Sequence, residues 1–234
     1  MTRLLRIDTP PAAEHWSRMQ HPDVVRTARK IFAFLRGSVA WNYAPTRKVV
    51  KYHIEDGISR EVGLKIVREN GSPIGRKYNE ETVEAFFDLV EREPIVGLRS
   101  FAGLEERFPI APARRAYVPV KPSAVIRQGG FFVPIFFNPW SDIAFDEYQA
   151  SLYMTVLEKS LFRLTDFEDS PGSIIFVPKV EEESGIWRRS PVIWSRGQFP
   201  LLSDNDLNDQ IRIFSESKEV ARVWYQEYID TRKM

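Results

Sequence analysis

The order of patterned segments predicts an α+β fold: a helical N-terminal region, then a small mixed sheet with a β-hairpin, a packed amphipathic helix and C-terminal helices. Three observations carry this. Apolar residues recur at helical spacing in four successive segments before residue 91. Prolines at 109, 112, 119 and 122 then interrupt that pattern. Beyond them come short apolar runs bounded by turn residues, with only one long helical segment between them. The resulting organisation is a leader arm at 1–21, a helical region at 22–110 and an α+β region at 111–234, the last two able to form one continuous domain.

The leader contains Pro10-Pro11 and little periodicity, so it reads as an arm ordered only against something else. Pro22-Asp23 starts the first helix; Val24, Ala28, Ile31, Phe32 and Leu35 form its apolar stripe and Gly37 ends it. A second short helix covers 47–54, before Asp56-Gly57, and Ser59 caps a third that Asn70-Gly71 closes. A fourth begins at Asn79, with Val83, Phe86, Phe87 and Val90 in one stripe and acidic residues at its positive end. A fifth helical piece is expected over 98–107.

Residues 124–126 and 131–137 flank Gln128-Gly129-Gly130 and read as a hairpin. Pro134 cannot donate to a ladder, which places the second strand at an edge or gives it a bulge. Residues 146–162 form the clearest amphipathic helix, 174–177 and 192–194 are further strands, and 203–230 is helical with a break near 215–217.

Composition excludes several functions. The 234 residues carry 33 Lys and Arg against 32 Asp and Glu, with 43% apolar residues, so the chain is neither histone-like nor disordered. No cysteine is present, which removes disulfides, cysteine-held zinc, iron–sulfur clusters and a thiol nucleophile. No run approaches the ~20 apolar residues of a membrane span, and the N-terminus lacks the apolar stretch of a signal peptide, so a cytoplasmic protein without a membrane partner is expected. Split after Val120, the net charge of +1 becomes +5 followed by −4.

The positive charge is concentrated. Between Val24 and Ile54 stand seven basic residues, Arg26, Arg29, Lys30, Arg36, Arg47, Lys48 and Lys51, and no acid. Arg26, Arg29 and Lys30 share a helix face, as do Lys48 and Lys51 on the next helix. Interleaved rings at Trp41, Tyr43 and Tyr52 can stack on bases while the cations neutralise phosphates. A basic second helix in a three-helix array is loosely like a helix-turn-helix. A weaker patch, Trp187-Arg188-Arg189 with Trp194 and Arg196, repeats the pairing of cation and ring. The ordinary alternative for both patches is a solvated face whose rings pack inward.

The succession of Pro122–Ile126, a Gly-Gly turn, the apolar strand 131–137 and a helix carrying Gln149-Ala-Ser-Leu-Tyr153 resembles the core of the PD-(D/E)XK nuclease family. The likeness covers about 35 residues. In that family the first hairpin strand carries an Asp and the second a Glu-x-Lys, which hold and serve a divalent cation. Here the Asp position falls near Ser123 or Ala124, and the Glu-x-Lys near 135–137, where nothing ionises. The resemblance therefore implies a degenerate, non-cleaving copy whose remaining role is to bind nucleic acid or a partner.

Other constellations are weaker. His15, His21 and His53 lack metal-ligand spacing, and His53 with Glu55 and Asp56 reads as an ordinary helix end. Asp204, Asp206 and Asn208 imitate the start of a calcium loop, but Asp209 and Ser215 occupy its glycine and bidentate positions, so a helix cap is expected. Walker A, dinucleotide-binding, hydrolase-elbow and kinase motifs are absent. The leading expectation is a non-enzymatic nucleic-acid-binding protein, with no cofactor and no metal. Its contacts are the seven cations and three rings of residues 24–54 together with Arg188 and Arg189. A subunit that binds a protein partner or itself is the alternative, favoured by the 13% aromatic content. An enzyme with a convergent site at Glu55, Asp56 or Glu147 is the third.

Overall fold

The computed structural model describes residues 8–37, 42–92, 95, 98, 101, 103–111, 116–183 and 185–232. At its centre lies a four-stranded mixed sheet of order β3-β4-β5-β8. β3 (Ala124–Gln128) and β4 (Phe131–Asn138) form the expected antiparallel hairpin, turned by Gly129 and Gly130 at φ +58° and +90°. β5 (Ser173–Phe176) runs parallel to β4, and β8 (Val192–Trp194) closes the sheet antiparallel to β5. Two small antiparallel sheets lie apart: β1 (Glu106–Ala111) with β2 (Ala116–Val120), and β6 (Lys179–Glu181) with β7 (Trp187–Arg189).

The period of two along the sheet strands sorts their side chains into two cores. Ala124, Ile126, Val133, Ile135, Phe137, Ile175 and Val177 face one side, where they meet α3 (Ala44–Asp56), α4 (Arg60–Asn70) and α5 (Arg76–Arg92) through Val49, Val67, Phe86 and Phe87. Val125, Phe136, Ile174 and Phe176 face the other, toward α1 (Ala13–Met19), α2 (Val24–Arg36), α6 (Glu147–Ser160) and α7 (Asp204–Thr231). Gly63 lets α4 close on its neighbours, since a Cβ there would stand 2.8 Å from Val49 Cγ1 and 2.9 Å from Phe87 Cε2.

Helix ends follow the sequence signals. Asp23 accepts from Arg26 N–H at 2.7 Å, Ser203 caps α7, and Gly57 ends α3 at φ +68°. Asp146 and Gln149 form a reciprocal capping box on α6.

Several expectations need correction. Residues 13–20 belong to the core: Trp16 is fully buried against Phe108 and Phe214. Near residue 110 the elements change from helix to strand, and N-terminal helices cover both faces of the C-terminal sheet. Glu106 and Arg107 are strand, because β1 finds a partner in β2 despite the prolines. α5 begins at Arg76, after a 3-10 turn at Pro73–Gly75. α7 is unbroken through 215–217, where Ser217 Oγ donates to the Val24 carbonyl at 2.9 Å and so finds its partner on α2.

α2 packs along α7, so the imagined helix-turn-helix is absent among the described elements. α6 is buried all round from Gln149 to Leu157; Thr155 Oγ1 donates within the helix to Ser151 O at 2.7 Å, whereas Gln149 Nε2 reaches the distant Gln20 carbonyl and Tyr153 Oη makes no well-formed hydrogen bond. Pro134 lies in a central strand. Ile135 O accepts from Ser123 N on the β3 side, so the polar groups of Pro134 face β5, whose pairing starts only at Ile135.

Candidate functional site

At the carboxyl end of β4 the chain leaves the sheet through Asn138-Pro139-Trp140, the place where parallel sheets most often bind ligands. Arg189 fixes this exit. Its Nη1 donates to the carbonyls of Val177 at 2.7 Å and Trp140 at 2.9 Å, and its Nη2 to Tyr43 Oη at 2.7 Å. Tyr43 is thereby tied to the β4 loop, and the guanidinium lies over its ring.

Two cavities flank this exit and meet at Arg47. The larger, about 890 Å³, is walled by α1, α2, the start of α3 and the loop after β4. Arg18, Lys30 and Arg47 supply its positive charge, against Asp142 as the lining acid. Trp140, Tyr43 and Phe34 supply its rings, with the Arg18 guanidinium 4.7 Å above Trp140 and His15 tilted against the same indole at 5.0 Å. Phe34 is 38% exposed, the most open of the three rings.

Electrostatics agree with an anion site. Lys30 Nζ donates to the Arg18 carbonyl at 3.2 Å. Partial desolvation lowers the Lys30 pKa, opposed by Asp146 and reinforced by Arg18, so an incoming anion would relieve a penalty. Burial likewise lowers the His15 pKa, with Glu14 opposing and Arg47 and Arg18 adding to the effect. His15 is neutral at pH 7 and offers a ring and a neutral hydrogen-bonding edge.

The smaller cavity, about 240 Å³, lies between the start of β3, the end of β4 and α3. Arg47, Lys51 and Lys121 stand on its wall with Glu14 and Glu55. Arg47 meets Glu14 at 3.7 Å and Lys51 meets Glu55 at 3.9 Å, both long for ion pairs. Tyr153 and Asn138 line its inner end.

The residues expected at the site are divided. Lys30, Tyr43 and Arg47 come together on the larger cavity, and Arg47 and Lys51 on the smaller. Arg26 is exposed and engages His21 Nε2 at 3.1 Å, and Arg29 is exposed on α2. Arg36 covers the Phe32 and Tyr228 rings. Lys48 covers Tyr52 at 5.4 Å on the outside of α3. Arg188 is exposed and faces Glu182 at 3.4 Å. Arg189 is consumed by the backbone, and Trp41 lies outside the described residues. Sequence reasoning missed His15, Arg18, Trp140 and Lys121. Trp140 was the findable one, as an aromatic two residues past the carboxyl end of an apolar strand.

Gln149, part of the nuclease-like resemblance, donates through Nε2 to the Gln20 carbonyl at 2.8 Å and so ties α6 to α1. Among the described residues no three or more His, Asp or Glu side chains are grouped so as to hold a metal ion. Compared with known proteins, the chain matches no protein-family model, no curated protein and no solved structure.

Proposed function

We propose that the protein binds single-stranded nucleic acid without cleaving it, seating one nucleotide in the larger cavity. The observation that carries this reading is the joint presence of Arg18, Lys30 and Arg47 with Trp140, Tyr43 and Phe34 around a space of about 890 Å³. Such a volume is that of a small-ligand site, and cations beside Phe34, the most exposed of the three rings, suit a phosphate and a base at once. A base inside a duplex is unavailable for stacking in a cavity, which favours an unpaired strand. Exposed Arg29 and Lys48 extend the positive field beyond the cavity. The positions that carry carboxylates in PD-(D/E)XK nucleases hold Ser123, Ala124 and apolar residues here, which favours binding over hydrolysis.

The test is a fluorescence-anisotropy titration with a single strand, the matching duplex and a mononucleotide at two salt concentrations. The single strand should bind most tightly, and more weakly at high salt. Equal binding of duplex and single strand, or none at low salt, refutes the reading.

A second reading, an interface with another protein or a second copy, draws on Ile186 and Trp187, which are 53% and 59% exposed beside β7. A mass measurement in solution that changes on substituting Trp187→Ser would favour it.

A further inference from the structure

The smaller cavity shares Arg47 with the nucleotide-sized one but has a chemistry of its own. The Tyr153 and Asn138 side chains both line it and both residues are at least 98% buried; Asn138 lies within reach of the Tyr153 oxygen, yet neither Tyr153 Oη nor Asn138 Nδ2 makes a well-formed hydrogen bond. Poorly satisfied buried donors are costly, typically ~1–3 kcal/mol each, so a native structure that keeps this pair beside a cavity signals something that accepts from it.

The occupant's character follows from the rest of the wall. Ser123 Oγ accepts from Phe137 N–H at 3.1 Å, which leaves its own O–H to donate. Burial, with Glu14 nearby, raises the Tyr153 pKa well above that of an ordinary phenol, so the group keeps its proton and offers it. Arg47, Lys51 and Lys121 outnumber Glu14 and Glu55, and their ion pairs, at 3.7 Å or longer, are loose enough for a third group to compete. A metal cation would find protons from Tyr153 and Asn138 where it needs lone pairs. A water molecule can accept from only two donors and must then donate its own hydrogens. A tetrahedral dianion has enough lone pairs for three neutral donors and for the cations around them.

We infer that this cavity is a binding site for a phosphate monoester, held by the Tyr153, Asn138 and Ser123 donors and by Lys121 and Arg47. The phosphate can arrive on the end of a nucleic-acid strand or on a small ester, and a volume of about 240 Å³ admits the phosphate with part of a sugar. The inference goes beyond the proposed function, because a strand could occupy the larger cavity with the smaller one unused.

The experiment compares one single strand in three forms, hydroxyl-ended, 5′-phosphorylated and 3′-phosphorylated, and in parallel titrates ribose 5-phosphate and inorganic phosphate calorimetrically. One phosphorylated end should bind at least about tenfold more tightly than the hydroxyl-ended strand, the effect of one charge-assisted hydrogen-bond set. Tyr153→Phe and Lys121→Gln should each remove most of that preference. Lys121 is exposed, with its side chain 58% accessible, so its substitution cannot be dismissed as unfolding. Calorimetric binding of the small ester that is lost in Tyr153→Phe, with no end preference among strands, supports the site and identifies its source as a small molecule. Three strands of equal affinity together with no calorimetric signal from either phosphate overturn the inference. Failure of the hydroxyl-ended strand to bind speaks only against the proposed function.

Discussion

Neutralising a single cation of the larger cavity should change the salt dependence of binding by a calculable amount. Arg18, Lys30 and Arg47 line that cavity. Each strand phosphate neutralised adds about 0.7 to the slope of log affinity against log salt; with the seated nucleotide and its strand neighbours setting one phosphate against each of the three cations, the slope is about −2 and the loss roughly 20-fold between about 50 and 200 mM salt. Lys30→Gln removes one contact, leaving a slope of about −1.4 and a roughly sevenfold loss over the same range. Lys30 is exposed and makes one hydrogen bond at 3.2 Å to the Arg18 carbonyl, so the substitution leaves the fold intact. Exposed cations nearby steepen both slopes equally, which makes the difference of about 0.7 the quantity to read. Anisotropy titrations at four salt concentrations measure it. A slope for Lys30→Gln equal to that of the unaltered protein would refute the placement of a phosphate in this cavity.

Three further outcomes follow from the same geometry. Phe34→Ala should weaken strand binding by ~1–3 kcal/mol through lost stacking, while the melting temperature barely moves because the ring is 38% exposed. Trp16→Ala should destabilise the protein by ~3–5 kcal/mol in chemical denaturation, since the indole is fully buried; a silent substitution would return residues 13–19 to a dispensable arm. Burial, aided by Asp206, Asp146 and Asp209, pushes the Tyr148 pKa up to about 12. The folded state therefore holds this proton after the unfolded chain has released it, and stability contributed below about pH 10 is lost as pH rises toward 12. Tyr148→Phe should flatten that alkaline decline in denaturation curves, at the cost near neutrality of the 2.6 Å bond to Gln210 Oε1.

What could be read in the sequence was local. Asp23, Ser59, Asp146 and Ser203 cap helices because a short polar side chain can reach the free N–H groups of its own first turn. Gly129-Gly130 turns the hairpin because both residues adopt positive φ. The α+β class followed from these signals. The prolines of 109–119 hid β1 and β2, whose pairing depends on a partner strand and not on propensity. The leader hid its role because one tryptophan in a polar stretch has no periodicity to reveal it.

The site divides along the same line. The chain itself concentrates seven cations in residues 24–54, a property of composition that no folding can alter. Only the tertiary structure decides what they face. It turns Arg36 onto the Tyr228 ring, and it joins Lys30 and Arg47 to Arg18 from the leader and to Trp140 from beyond β4. It also spends Arg189 on backbone carbonyls that sequence spacing could not bring near it. The physical reason is range: caps and turns are satisfied within about four residues, whereas a cavity is assembled by packing helices onto both faces of a sheet, and those contacts are specified by no short stretch of the chain.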